Sequence, residues 1–120
     1  MQLTEFLNKV SKNPQQLNFA DTIAIIDSHY DFTPTAFRNG ELYNEAGQNS
    51  GSCKIFSFAD MHQLSQLQTL HCFGDYYRVD VLQKPDASDH QNIRNFIRFG
   101  WDGVDFADAA LKARLNSPNQ

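Results

Sequence analysis

Apolar residues open the chain at helical spacing. Leu3, Phe6, Leu7 and Val10 fall at i, i+3, i+4 and i+7 and predict a short helix that stops before Asn13-Pro14. Asn18, with Asp21 three residues on, reads as a helix cap and its partner. The helix it opens carries Phe19, Ile23, Ile26 and Tyr30 on one stripe. Pro34 holds Thr33 in extended backbone and ends any helical continuation. Asn39-Gly40, flanked by segments holding Phe37, Leu42 and Tyr43, predicts a β-hairpin with these two residues at the positive-φ turn positions. The polar run over residues 44–51 is a loop by composition.

Residues 53–62 fit two periods. Lys54, Phe56 and Phe58 would share a strand face, whereas Ile55, Phe58, Ala59 and His62 form a helical stripe. A length of ten residues without a turn signal favours the helix. Ser65 and Gln68 form a capping box that opens a long helix over residues 65–82, closed by Pro85. Its apolar residues Leu67, Leu70, Cys72, Phe73, Tyr76, Tyr77 and Val81 nearly encircle the axis, as in a central buried helix. Gly74 within it implies close approach of another backbone. Ser88 and Gln91 form a second capping box, opening a helix with Ile93, Phe96 and Ile97 inward. Arg94 and Arg98 lie on its solvated side and Gly100 ends it. Asp105 is expected to cap a last helix with Leu111 and Leu115 inward, and residues 116–120 to fray. The expected fold is α+β: a single helix-rich domain with a small β-hairpin over residues 1–120, its core spanning about residues 3–115.

Composition narrows the function more than the fold. Hydrophobic residues at 41%, with ten Phe, suffice for a packed core. A net charge of -4 argues against attraction to nucleic acid or to an anionic membrane. No run approaches the roughly 18 apolar residues that cross a bilayer, and the start of the chain lacks a secretory signal. Two cysteines, Cys53 and Cys72, match no disulfide framework and no metal spacing, which suggests reduced thiols in cytoplasm.

Candidate chemistry centres on residues 48–54. Cys53 follows Gly51-Ser52 at an expected helix start, where free N–H groups favour a thiolate. With His90 or His29 as base and Asn92 or Asn95 orienting it, Cys53 would be a nucleophile. The competing reading is a buried, inert thiol. The same loop could instead hold an anion through backbone N–H groups, Ser52 and Lys54, or Ser52 could simply cap the helix. His90 reads as either a neutral hydrogen-bonding imidazole or a surface residue, and Trp101 as core or a lid whose indole N–H needs a partner. Asp27, His29 and Asp31 invite a metal reading, but on a helix the imidazole points away from the carboxylates. Neither metal nor cofactor is expected. The ligand-binding candidates are therefore Asn39, Gln48, Asn49, Ser52, Lys54, His90, Asn92, Asn95 and Trp101, lining one cleft for a protein or small-molecule partner.

Several segments carry a family resemblance: Tyr30-Asp31-Phe32-Thr33-Pro34-Thr35-Ala36-Phe37-Arg38-Asn39-Gly40; Ala46-Gly47-Gln48-Asn49-Ser50-Gly51-Ser52-Cys53-Lys54; Thr69-Leu70-His71-Cys72-Phe73-Gly74 with Tyr77-Arg78-Val79-Asp80-Val81-Leu82; and Asp89-His90-Gln91-Asn92-Ile93-Arg94-Asn95-Phe96 through Gly100-Trp101. Over roughly residues 19–106 the chain resembles the HopJ type III effector proteins. That resemblance implies delivery by a bacterial secretion system into a host cell and carries over no catalytic residue or substrate. A helix beginning near Leu3 leaves little room for a Ser-rich secretion segment, so a housekeeping cytoplasmic protein sharing the domain is the alternative. A non-enzymatic binding module is the first expectation and a Cys53-dependent enzyme the second.

Overall fold

The computed structural model describes residues 1–114; Leu115 and the expected frayed tail lie outside the described residues. Helix α1 (Leu3–Lys12) buries Phe6 and Val10 and stops at Asn13, after which Pro14 begins a 3-10 turn, Pro14–Gln16. Helix α2 (Phe19–His29) starts as the sequence predicts: the Asn18 side chain accepts a 2.7 Å hydrogen bond from the Asp21 N–H. Helix α3 (Ser50–Met61) resolves the ambiguous segment in favour of the helix. Its residues Cys53, Ile55, Phe56, Phe58 and Ala59 are buried on almost every side because α2, the later helix α4 (Gln66–His71) and the last strand β5 (Leu111–Ala113) all pack on it.

The expected long helix over residues 65–82 is broken. Helix α4 (Gln66–His71) has its Ser65–Gln68 capping box but ends at Cys72. The chain then turns at Gly74 (φ 63°) and continues as a π-helical segment, Tyr76–Val81. A Cβ on Gly74 would lie 2.7 Å from the Phe19 nitrogen and 2.9 Å from the Asn18 Cα. The close backbone approach implied by the sequence is real, and it forces the break. The guanidinium of Arg78 then ties the π segment down by donating to the carbonyls of Leu17, Pro14 and His71.

Helix α5 (Gln91–Phe99) ends at Gly100 (φ 65°) and buries Ile93 and Phe96, as expected, but it buries Asn92 as well and leaves Ile97, expected inward, 39% exposed. Its start differs from expectation. Ser88 does not cap it; His90 does so with left-handed backbone (φ 51°), while the Ser88 carbonyl accepts from the Gln91 side chain. Arg94 is not on a solvated side either, because it folds back to bind Asp89 (2.8 Å) and the carbonyls of Asp89, Pro85 and Asp80.

The sheets depart most from expectation. Strand β1 (Tyr30–Phe32) pairs antiparallel with β5 (Leu111–Ala113), and β2 (Phe37–Asn39) sits between β3 (Leu42–Asn44) and β4 (Val104–Phe106). Strands β4 and β5 therefore occupy the region expected as a last helix. The β2–β3 hairpin exists, but Asn39 pairs with Leu42. The turn residues are thus Gly40 and Glu41, with positive φ at Gly40 alone. Around Phe56, the rings of Phe37, Phe73, Phe96 and Trp101 draw β2, α5 and the turns into one core. The architecture is an α+β, helix-rich single domain with small antiparallel sheets.

Candidate functional site

Helices α3 and α5 point their starts at the same place. The first intrahelical bonds are Cys53 N–H to Asn49 O and Arg94 N–H to His90 O. The N–H groups of Ser50, Gly51 and Ser52, and of Gln91, Asn92 and Ile93, therefore precede the helical ladders. Both capping residues, Asn49 and His90, take left-handed backbone (φ 51° each), and neither side chain bonds into the first turn. Asn and His adopt that region more readily than most residues. Between the two helix starts lies a cavity of about 370 Å³. Asn49, Gly51 and Ser52 line it from α3, His90, Gln91, Asn92 and Ile93 from α5, and Phe19, Leu42, Phe73 and Tyr76 complete the walls. A second cavity, reaching Asn18, Asp21 and Asp75, shares Phe19, Phe73 and Tyr76 with the first.

The His90 ring is held from two sides. Its Nε2 lies 3.0 Å from Asp80 Oδ2 and its plane packs on Tyr76 at 5.0 Å. A carboxylate only accepts, so in neutral His90 Nε2 carries the proton and Nδ1 is the acceptor. The π-helical segment supplies both Tyr76 and Asp80, consistent with the tendency of π segments to occur at functional sites. Next to His90, the Arg94 side chain bonded to Asp89 holds that carboxyl below its usual range. Tyr76, expected in the core, is 43% exposed and packs edge-on against Phe19.

Behind the cavity lies a cluster of asparagines. Asn92 Oδ1 accepts from Asn39 Nδ2 (3.0 Å) and Asn44 Nδ2 (3.1 Å). Asn44 Oδ1 accepts from Asn92 Nδ2 (2.9 Å) and Asn49 Nδ2 (2.7 Å). Asn39, Asn44 and Asn92 are buried, and Asn39 Oδ1 has no partner among the described residues.

Of the residues singled out from sequence, Asn49, Ser52, His90 and Asn92 line the cavity, and Asn39 stands behind it through Asn92. Ser52 is the third helical residue and not the cap, because α3 begins at Ser50, three residues earlier than the thiol suggested. Gln48 bonds back to the Glu45 N–H, and Asn95 links the Glu41 N–H to the Gln91 carbonyl on the outer side of α5. Lys54 belongs elsewhere: it pairs with Asp27 at 2.9 Å and lies over the Phe32 ring. Trp101 is wedged against Phe56 and Phe96 with its indole N–H on the Leu64 carbonyl (3.1 Å), so it is no lid over this cavity. The Asp31 carboxylate pairs with Arg114 (3.4 Å) while that of Asp27 pairs with Lys54, so the two carboxylates engage different cations. Phe19, Leu42, Asn44, Phe73, Tyr76 and Asp80 were not foreseen. The one signal that could have found them was the clustering of Asn residues in segments that adjoin apolar ones.

Cys53 is 2% exposed and its Sγ donates to the Thr35 carbonyl at 3.6 Å, within the core and off the cavity. Burial pushes its thiol up, the opposite of activation, and pushes Cys72 up to about 12. In the native protein neither thiol should react with a disulfide reagent at neutral pH, and both should react once urea is added. Unfolded thiols ionise from about pH 8.5 while the folded ones stay protonated. Stability is therefore full below that value and falls as pH rises towards 12. Urea unfolding at pH 8 and pH 10 checks this, and Cys72→Ala should flatten the decline.

The fold and cavity together define a small α+β protein with a preformed polar pocket at two helix starts. The chain belongs to the HopJ type III effector protein family, whose model matches residues 3–111. A crystal structure of a protein of unknown function, VPA0580, is 48% identical to it, with a TM-score of 0.94 over 95% of each chain. Comparison with the curated proteins found no match. Among the described residues no helix is long and apolar enough to cross a membrane.

Proposed function

We propose that this HopJ protein is a non-enzymatic binding module whose cavity takes a small ligand, or the tip of a larger one, through an anionic group such as a phosphate or carboxylate. The observation that carries this reading is the meeting of two helix starts, both without a side-chain cap, on one preformed cavity. Free N–H groups and the positive ends of two helix dipoles favour negative charge there, and the Ser52 hydroxyl adds a side-chain donor. The aromatic walls, Phe19, Phe73 and Tyr76, suit an apolar or ring-bearing body next to that group. The family's description supports a setting for this module, delivery by a type III system to meet a host-cell ligand. The buried thiol gives the cysteine-enzyme reading no support.

Ser52→Glu tests the reading because it separates binding from folding. A carboxylate in the first turn of α3 favours the helix dipole by about 0.3–1 kcal/mol, so the variant should melt at or slightly above the wild-type temperature. It also places negative charge on the cavity floor. Small phosphate- and carboxylate-bearing compounds that raise the wild-type melting temperature should lose at least ten-fold in affinity for the variant. Lys54→Gln, outside the cavity, should bind like wild type. Equal binding by Ser52→Glu, or no stabilisation of wild type by any such compound, would overturn the proposal.

A further inference from the structure

The cavity is only as well defined as the spacing between its two helix starts, and one buried side chain spans them. Asn44 ends β3 and is 1% exposed. Its Oδ1 accepts from Asn49 Nδ2 (2.7 Å) at the start of α3 and from Asn92 Nδ2 (2.9 Å) in the first turn of α5. Its Nδ2 donates to Asn92 Oδ1 (3.1 Å) and to the Phe37 carbonyl (3.4 Å) across the hairpin. A carboxamide has two donor hydrogens and two main acceptor directions, and Asn44 uses all four. The orientation is fixed by chemistry: the flipped amide would set its oxygen against Asn92 Oδ1 and the Phe37 carbonyl, acceptor to acceptor. Aspartate would lose both donors, leucine all four bonds, and glutamine would displace the group by a methylene.

We propose that Asn44 is the positioning residue of the site: its carboxamide ties the start of α3 to the start of α5 and so sets how far apart, and in which direction, the two groups of free N–H donors stand. The inference rests on the ligand-site reading above and adds to it. Asn44 does not line the cavity, yet two of its partners, Asn49 and Asn92, do. The strand that carries it is braced by the β2 pairing of Phe37 with Asn44, so the hairpin acts as the fixed frame. A disturbance at one helix start reaches the other through this residue.

The test uses the full chain labelled with 15N and needs no ligand for its first arm. Asn49→Gly removes the side chain that Asn44 holds while glycine keeps the left-handed backbone, so the fold is spared. Its amide spectrum should differ from wild type at residues 50–52 and also at Gln91, Asn92 and Ile93, with the Trp101 indole resonance unmoved. Asn44→Ala should move both groups further. In the second arm, inorganic phosphate is the probe. Asn44→Ala and Asn49→Gly should each weaken its binding five-fold or more. Val10→Ala, which opens a void under α1 and touches neither the asparagine cluster nor the cavity lining, should lower the melting temperature and leave phosphate affinity within two-fold. Spectral changes in Asn49→Gly confined to residues near 49, or equal losses of affinity in Val10→Ala, overturn the proposal. Failure of wild type to bind phosphate would count against the ligand reading instead, while the spectra still decide the role of Asn44.

Discussion

Phe56→Ala should lower the unfolding free energy by about 3–5 kcal/mol, the range for truncating a buried phenylalanine. That is a large share of the roughly 5–15 kcal/mol that holds a typical domain together. Phe56 is fully buried and meets the rings of Phe96 (4.9 Å), Phe73 (5.4 Å), Phe37 (6.1 Å) and Trp101 (6.4 Å). These neighbours belong to different elements, so collapse around the void would have to shift α5 and β2 together. Urea unfolding should show a lower midpoint with an unchanged slope. Because Phe73 also walls the cavity, ligand binding should weaken alongside stability. Phe56→Leu, which restores most of the volume, should lose less than about 1.5 kcal/mol.

Gly74→Ala should destabilise by about 3 kcal/mol or more. Left-handed backbone at an alanine costs roughly 1–2 kcal/mol, and forcing a methyl into packed structure adds about 1–3. Here the obstacle is backbone, the Phe19 nitrogen and Asn18 Cα, at a helix start that cannot swing aside as a side chain would. Gly47 supplies the control. Its φ is also positive, at 91°, but an added Cβ meets nothing within 4 Å. Gly47→Ala should therefore lose only the backbone component, about 1 kcal/mol. The difference between their unfolding midpoints measures the close approach itself. Phe19 follows the contact directly and lines the cavity, so Gly74→Ala should also disturb the ligand site.

Local signals in the sequence proved reliable where one residue decides the outcome. The Asn18–Asp21 cap, the stop at Asn13-Pro14, the end of α5 at Gly100 and the close approach at Gly74 all follow from the chemistry of single positions. The elements that misled did so for tertiary reasons. The apolar residues from Leu67 to Val81 have a helical period on both sides of Gly74, so period alone could not reveal the turn that packing against Asn18 imposes. Strands β1, β4 and β5 are three residues each, too short for alternation to register, and exist because distant segments pair. Ser88 carries a good capping signature, yet the Asp80 and Tyr76 contacts hold His90 where it ends the loop in left-handed backbone.

The site was half legible for the same reasons. Asn49, Ser52, His90 and Asn92 were recognisable as polar residues beside apolar elements, and they converge. Lys54 and Trp101 looked equally suitable, but an ion pair with Asp27 and a ring packed on Phe96 remove them. Asn44 was invisible because its meaning depends on Asn92, 48 residues away. Cys53, the conspicuous nucleophile of the sequence, faces the core three residues past the half-buried start of α3.

The direct test of the anion-binding cavity is a titration of 15N-labelled protein with inorganic phosphate at constant ionic strength, followed through its amide resonances. The account predicts that Ser50, Gly51 and Ser52 shift together with Gln91, Asn92 and Ile93, and that both groups saturate with a single dissociation constant. Shifts at one helix start alone, shifts scattered over the lysine and arginine surface, or no shifts at all would contradict it.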